Sequence, residues 1–348
     1  MNKLAHILKE ARLAKKLSGV EVTKITGIDA SLINKIESGV RLPTKPQMIS
    51  LAKAYKIPVK SLQIEWLSAK IYKELEGEDY ALEALKVAEA LLEYGSPNYE
   101  EEKIIAKINK LKKQLDALRP IPKAQLENLR NYFKIQYTYD SNRIEGNTLT
   151  LQETSLVVEK GITISGKTVQ EHLEAINHSE AVEFILDLVK NKTPLTEYIL
   201  KQLHGLVLRG IDKHNAGKYR SVNVMISGSL HKPPQPFMLD KLMEDYFLFY
   251  EQNKSSMHPV LLAAEMHERL VTIHPFIDGN GRTSRLIMNL VLMQNGYPIT
   301  NISSERQNRL AYYSSLETVQ VKNDKTKFYD FVCNAVLHSL NEYLHLVK

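Results

Sequence analysis

Helical spacing runs through almost every long segment of this chain, and it confines the fold to helix packed on helix. Apolar residues recur three and four apart, as at Leu4, Ile7, Leu8 and Ala11, which puts them on one face of a 3.6-residue helix. HPVLLAAEMHERLVTI (258–273) carries Leu261, Leu262, Ala264, Leu270 and Ile273 in the pattern of a buried helix. A second such run begins at Leu286, Ile287, Leu290, Val291 and Met293. Pro58, Pro97, Pro120, Pro122 and Pro194 punctuate the helices. Too few stretches alternate with period two for a doubly wound parallel sheet. The expected class is therefore mainly α. The exception is YRSVNVMISGSLHKPPQPF (219–237), which alternates around Val222, Val224 and Ile226 before a glycine and a proline cluster. That pattern predicts a β-hairpin or extended flap.

Charge divides the chain. Residues 1–64 hold 12 Lys/Arg and 4 Asp/Glu; the rest holds 46−12=34 basic and 40−4=36 acidic residues. The first segment is thus +8 and the remainder −2, so the basic character belongs to the N-terminal module, as expected for nucleic-acid contact. Three regions are expected: the module at 1–64, a helical connector at 65–118 broken near Gly95-Ser96-Pro97, and a body at 119–348 entered through RPIP (119–122). A single cysteine, Cys333, excludes an internal disulfide. No apolar run is long enough for a membrane span, and Glu10 and Arg12 interrupt any secretory signal core, so the expected location is cytoplasmic.

LSGVEVTKITGIDASLINKIESGVRL (17–42) predicts a short helix over 18–26 closed by Gly27, then a second from about Asp29 to Gly39. That is a helix-turn-helix layout. With Ile33–Pro43 it resembles the Cro/C1-type (XRE) family over about residues 4–64. The resemblance implies that the second helix meets base edges through Ala30, Ser31, Asn34 and Lys35, with Arg41 and Lys45 on phosphates. Ala30 and Ser31 are weak readers, so sharp sequence selectivity is not expected. A helical module for protein contact remains open.

Chemistry concentrates at HPFIDGNGRTSR (274–285). Pro275 should end the preceding helix near His274. Gly279 and Gly281 free the backbone to aim N–H groups at an anion at a helix N-terminus. Arg282 and Arg285 are three apart and can face one ligand. Asp278 is a hard oxygen ligand suited to Mg²⁺, and His274 can take a proton near neutral pH. A base, a metal ligand and a phosphate cradle describe nucleotide chemistry.

The stretch matches the Fic signature HPFx[DE]GNGRxxR, and the wider resemblance covers about residues 120–345. It implies AMP transfer from ATP to a Ser, Thr or Tyr hydroxyl of a target protein. By that resemblance His274 deprotonates the hydroxyl and Asp278 holds Mg²⁺. Gly279, Asn280, Gly281 and Arg282 cradle the phosphates, and Arg285 grips the γ-phosphate. Tyr312 and Tyr313 look like the family's adenine-side tyrosines, with helix packing as the plain alternative. The flap, with Ile226, Ser229, Leu230 and His231, resembles the hairpin that covers the nucleotide and aligns a target by strand pairing. Doc-type relatives, which phosphorylate, place Lys where Gly281 stands. A phosphocholine-transferring branch remains open. Expected partners are a target protein at the flap, DNA through residues 1–64, and a second copy of the chain.

SNRIEGN (141–147) matches the Fic inhibitory motif [ST]xxxE[GN] through Ser141, Glu145 and Gly146. An inhibitory helix is expected near 135–147. The resemblance implies that Glu145 pairs with Arg285 and blocks productive γ-phosphate binding, or supports AMP removal. Three other patterns compete with this one. GITISGKT (161–168) matches the P-loop consensus at Gly161, Gly166, Lys167 and Thr168, but LQETSLVVEK before it reads as a helix rather than the strand a P-loop needs. His267-Glu268 lacks the second histidine of a zinc-protease motif, because position 271 is Val. A DNA-binding or antitoxin-like regulator, with the C-terminal body as sensor, is the alternative function.

Overall fold

The computed structural model describes residues 3–94 and 99–348, which form two compact units divided at Ser96–Pro97. The first unit contains α1 (Lys3–Ala14), α2 (Gly19–Thr26), α3 (Ala30–Glu37), α4 (Lys45–Tyr55), α5 (Val59–Leu75) and α6 (Ala81–Tyr94). Ser18 and Glu21 form a capping box at the start of α2, and Gly27 ends it in the left-handed region at φ 71°. Asp29 then caps α3 by accepting from the Ser31 N–H at 2.8 Å. The turn between the two helices follows from those caps. Leu8, Val22, Ile33, Ile36, Met48, Leu51 and Leu62 make the core. Glu37 is buried there but satisfied, accepting from Arg12 Nε at 2.9 Å and Tyr55 Oη at 3.2 Å.

The connector departs from expectation. α5 runs through residue 64 without interruption, and a break falls at residues 76–80, where Gly77 takes φ 85°. The break expected at Gly95-Ser96-Pro97 lies outside the described residues.

The second unit contains α7 (Tyr99–Ala117), α8 (Lys123–Ile144), α9 (Leu151–Lys160), α10 (Val169–Lys190), α11 (Glu197–Val207), α12 (Leu239–Asn253), α13 (Pro259–Ile273), α14 (Asn280–Gln294), α15 (Arg306–Lys322) and α16 (Thr326–Val347). α13 and α14 pack together at the centre; α8, α10 and α11 lie against α14, and α12, α15 and α16 against α13. α14 is buried from Arg282 to Leu292. A helix so enclosed must satisfy its polar side chains within the protein. Asn289 does so by donating to the Arg285 and Thr300 carbonyls and accepting from the Thr300 N–H.

The expected hairpin at 219–237 is not a β-element; no strand forms among the described residues. The segment makes a turn at Ile226–Ser229 (N···O 3.1 Å) around Gly228, and its legs run extended without a ladder. Pro233 and Pro234 remove two donors from one leg, which ends in a 3-10 turn at Pro236–Met238. Arg220 takes carbonyls on both legs instead, at Val222 (3.0 Å) and Pro234 (2.7 Å). The flap carrying Ile226, Ser229, Leu230 and His231 is thus stapled by one guanidinium.

GITISGKT forms the turn between α9 and α10. Gly161 closes α9 and Thr168 caps α10. Lys167 is spent on Thr148, donating to its carbonyl at 2.7 Å and its hydroxyl at 3.0 Å. No strand precedes it, as the helical reading of LQETSLVVEK requires.

Candidate active site

The loop between α13 and α14 is closed by its own residues. His274 ends α13 in the left-handed region at φ 52°. The Asn280 side chain spans the loop, accepting from the Phe276 N–H at 3.0 Å and donating to its carbonyl at 2.9 Å. From α11, His204 stacks flat on Phe276, with ring centroids 3.6 Å apart. Its Nδ1 accepts from the Gly217 N–H (2.9 Å), which leaves Nε2 protonated to donate to the Asp278 carbonyl (2.9 Å). Burial lowers the His204 pKa to about 4, so the ring stays neutral. Gly279 takes φ 77°, and a Cβ there would meet His204 and Val207 at 3.4 Å. It caps α14 without a side chain, leaving the first amides of the helix open to an anion.

His274 Nδ1 lies 3.2 Å from the Val271 carbonyl. Nδ1 therefore carries the proton and Nε2 is the free acceptor. Burial, first, holds its pKa below the usual 6.5; the Val271 carbonyl opposes this, and Arg220 and His231 add to it. The ring is neutral at pH 7. Asp278, the expected Mg²⁺ ligand, keeps its side chain 60% exposed. One oxygen accepts from the Gly279 N–H at 2.6 Å, and the other lies 3.3 Å from Arg282.

Both arginines of the loop are buried against carboxylates. Arg282 reaches Glu174 of α10 at 3.4 Å as well as Asp278. Arg285 is 1% exposed and engages the end of α8 three times: Nε to Ser141 Oγ (3.0 Å), Nη2 to the Ser141 carbonyl (2.8 Å) and Nη2 to Glu145 Oε1 (2.7 Å). Burial disfavours its charge, but Glu145 outweighs that and raises its pKa. The last turn of α8 is fixed in turn by Asn147, whose amide donates to the Glu171 carbonyl and to Glu174 Oε2. Glu174 thus touches both Arg282 and the turn that carries Glu145. At Gly281 a Cβ would stand 2.3 Å from Glu145 Oε1 and 3.3 Å from Arg285 Nη1. The carboxylate occupies the space that any side chain at 281 would need.

The two tyrosines part company. Tyr312 is 1% exposed; its hydroxyl donates to His267 Nε2 (2.9 Å) and accepts from Arg285 Nη1 (3.4 Å). Tyr313 is 40% exposed and donates to the Ile144 carbonyl at 3.0 Å. On the flap, His231 Nε2 lies 2.9 Å from the Thr272 carbonyl, its N–H donates to Ser229 Oγ, and the Leu230 N–H donates to Glu317 of α15 at 3.3 Å. Leu230 is 77% exposed and Ile226 half-buried. Arg220 ties flap to loop, donating from Nε to the His274 carbonyl (2.8 Å) and from its N–H to the Pro275 carbonyl (2.9 Å). The second unit thus brings together His274, Asp278–Arg282, Arg285, Ser141, Glu145, Tyr312, Tyr313 and the flap. Sequence reasoning missed Arg220, His204, Glu174 and Glu317, whose partners lie 54, 74, 108 and 87 residues away in the chain.

In the first unit, Ser31, Asn34, Lys35 and Arg41 are all exposed, as is Lys45. Ser31, Asn34 and Lys35 share the outer side of α3, opposite Ile33 and Ile36.

Residues 194–292 match the Fic/DOC family. The chain carries a Fic domain. An N-terminal helix-turn-helix domain matches residues 8–62. Protein adenylyltransferase Fic of Drosophila grimshawi is 38% identical over 238 residues, which cover 67% of this chain and 48% of that protein. The Drosophila ananassae protein of the same name is 36% identical over 241 residues, covering 68% and 48%. The chain spans about half the length of these curated relatives. Among solved structures, a Fic-domain signalling protein of Bacteroides thetaiotaomicron superposes with TM-score 0.65 at 29% identity, over 70% of this chain and 97% of its own. Caenorhabditis elegans Fic-1 shares the fold at TM-score 0.64 and 23% identity, over 98% of both chains. No helix among the described residues is long and apolar enough to cross a membrane.

Proposed function

We propose that the Fic domain transfers AMP from ATP to a hydroxyl of a protein, and that Glu145 restrains the reaction. The observation that carries this is the Arg285–Glu145 contact at 2.7 Å, made beside an uncapped helix N-terminus and a neutral His274. An anion cradle with its own carboxylate plugged into it is built for a phosphate substrate that has to displace the plug.

The free Nε2 of His274 takes the proton of the incoming Ser, Thr or Tyr hydroxyl as its oxygen attacks the α-phosphorus. The bond from that phosphorus to the bridging oxygen breaks, and pyrophosphate leaves. Open amides at the start of α14, with Arg282, steady the negative charge on the phosphates. Arg285 holds the γ-phosphate once Glu145 yields. Asp278 suits Mg²⁺: a single exposed carboxylate beside a phosphate cradle is the donor set this ion uses when substrate oxygens and water complete its shell. Such an ion would neutralise the triphosphate. The Tyr312 hydroxyl bonds Arg285 and Tyr313 donates to the Ile144 carbonyl of the α8 turn, whereas the flap residues Ile226, Ser229, Leu230 and His231 serve the nucleotide's remainder and the target.

The test is intact mass after incubation with ATP and Mg²⁺, supplied with a labelled α-phosphate. Glu145→Gly should gain AMP on itself or on an added target, and Glu145→Gly/His274→Ala should not. Gain of a phosphate alone would overturn adenylyl transfer in favour of kinase chemistry. A second reading, DNA binding by the first unit, rests on the exposed set Ser31, Asn34, Lys35 and Arg41 of a net-positive module. Retention of the full chain on duplex DNA should weaken with salt and in Lys35→Ala/Arg41→Ala; unchanged retention would remove that role and the regulator alternative with it.

A further inference from the structure

Between α8 and the start of α15 lies a cavity of about 820 Å³ whose lining does not include Glu145. Gln136, Tyr139, Asp140 and Arg143 line one wall at helical spacing; Arg306 and Arg309 of α15 stand in the other. Three guanidinium groups therefore border one space. Among the described residues none of the three has a carboxylate partner: Arg143 reaches only the Asn147 carbonyl at 3.4 Å, and Arg309 lies over the Tyr313 ring at 5.7 Å. Asp140 is engaged elsewhere, its two oxygens accepting from the Asn301 amide and the Ser304 N–H, and it keeps its negative charge on the lining. Exposed Glu305 is the one other acid on the lining. The same wall holds the start of α15, which has no side-chain cap, so its first amides add positive potential. A pocket of this size suits a small molecule, and three arginines without a carboxylate contact, set against two acids on the lining, leave a net positive space whose forked donors suit phosphate groups.

We propose that this cavity is a regulatory site for a soluble, multiply phosphorylated small molecule, separate from the Fic cradle, and that its occupancy tightens the α8 latch. Arg143 sits two residues before Glu145. Tyr313, which lines the cavity, donates to the Ile144 carbonyl in the same turn. An anion bridging Arg143 to Arg306 and Arg309 ties the end of α8 to α15 while Glu145 rests on Arg285. A ligand that favours this arrangement shifts the population toward it. The regulatory half rests on the proposed role of Glu145; the binding half does not.

Binding is measured by calorimetry on the full chain in magnesium-free buffer, with inositol hexakisphosphate as the probe and no ATP present. Wild type should bind one equivalent. Arg143→Ala/Arg306→Ala removes two exposed side chains and should weaken binding by roughly tenfold per arginine. Arg282→Ala should leave it unchanged. Absence of binding, or loss of binding in Arg282→Ala with retention in the double variant, overturns the site, since the anion would then occupy the cradle. Amide exchange across 141–147 reads the coupling without any catalysis. It should slow with the probe in wild type and not in the double variant. Binding with unaltered exchange overturns the regulatory half and leaves adenylyl transfer untouched.

Discussion

Replacing Glu145 by glycine removes the one carboxylate that Arg285 touches among the described residues, and the size of the effect follows from what remains. Arg285 keeps its contacts to the Ser141 hydroxyl and carbonyl at 3.0 and 2.8 Å, so it stays on α8 but loses its only charged partner there. A hydrogen bond to a charged group is worth about 1.5–3 kcal/mol. With Glu145 one-third exposed, the lower half of that range applies. At 1.4 kcal/mol per decade the latched state loses about ten- to fortyfold of its advantage. Adenylyl transfer at saturating ATP and Mg²⁺ should rise by about that factor, followed as AMP adduct mass against time. Glu145→Gln, which keeps shape and removes charge, should fall between wild type and Glu145→Gly. If Glu145→Gly is no faster than wild type under these conditions, the carboxylate is a structural cap of α8 and not a brake.

Three further outcomes are expected. Since burial keeps the pKa of His274 below 6.5 and the base acts as the neutral ring, the rate of Glu145→Gly should hold as pH falls to 6.5 and decline only below it; a midpoint at or above 6.5 would contradict a buried neutral base. Arg220→Ala removes the guanidinium bonds to the Val222, Pro234 and His274 carbonyls, so limited proteolysis should cut within residues 222–234 far sooner than in wild type; an unchanged cleavage pattern would mean the legs hold themselves. Lys167→Ala should cost about 1 kcal/mol in thermal unfolding and leave AMP transfer intact; loss of transfer would revive the phosphate-loop reading of GITISGKT.

Much of the site was legible because its chemistry is contiguous. His274 through Arg285 lie in twelve consecutive positions, and the apolar periodicity on either side sets them between two helices. The caps of α2 and α3 were legible for the same reason, each being a contact within four residues. The flap was misread because alternation reports which side chains are apolar and says nothing of what the backbone carbonyls bond to. Its partner, Arg220, spends its guanidinium on carbonyls as far off as His274. Tyr312 and Tyr313 are adjacent, and no local pattern reveals that the first turns inward onto Arg285 and His267 while the second stays exposed. The contact of Glu145 with Arg285 spans 140 residues; physics at either end foresees only that each group needs an opposite charge.

The bare backbone at Gly281 has a reach beyond the anion cradle. A Cβ there would collide with Glu145 at 2.3 Å, and a longer side chain would collide further. Lysine, the residue of Doc-type relatives at this position, would therefore push the Glu145 carboxylate from where it now sits. On the proposed role of Glu145, a side chain at 281 therefore acts on the latch as well as on the phosphate site, and the two cannot be varied separately. Any side chain at 281 and the Glu145 carboxylate in its 2.7 Å contact with Arg285 compete for one space, whether or not the glycine's amide ever meets a phosphate.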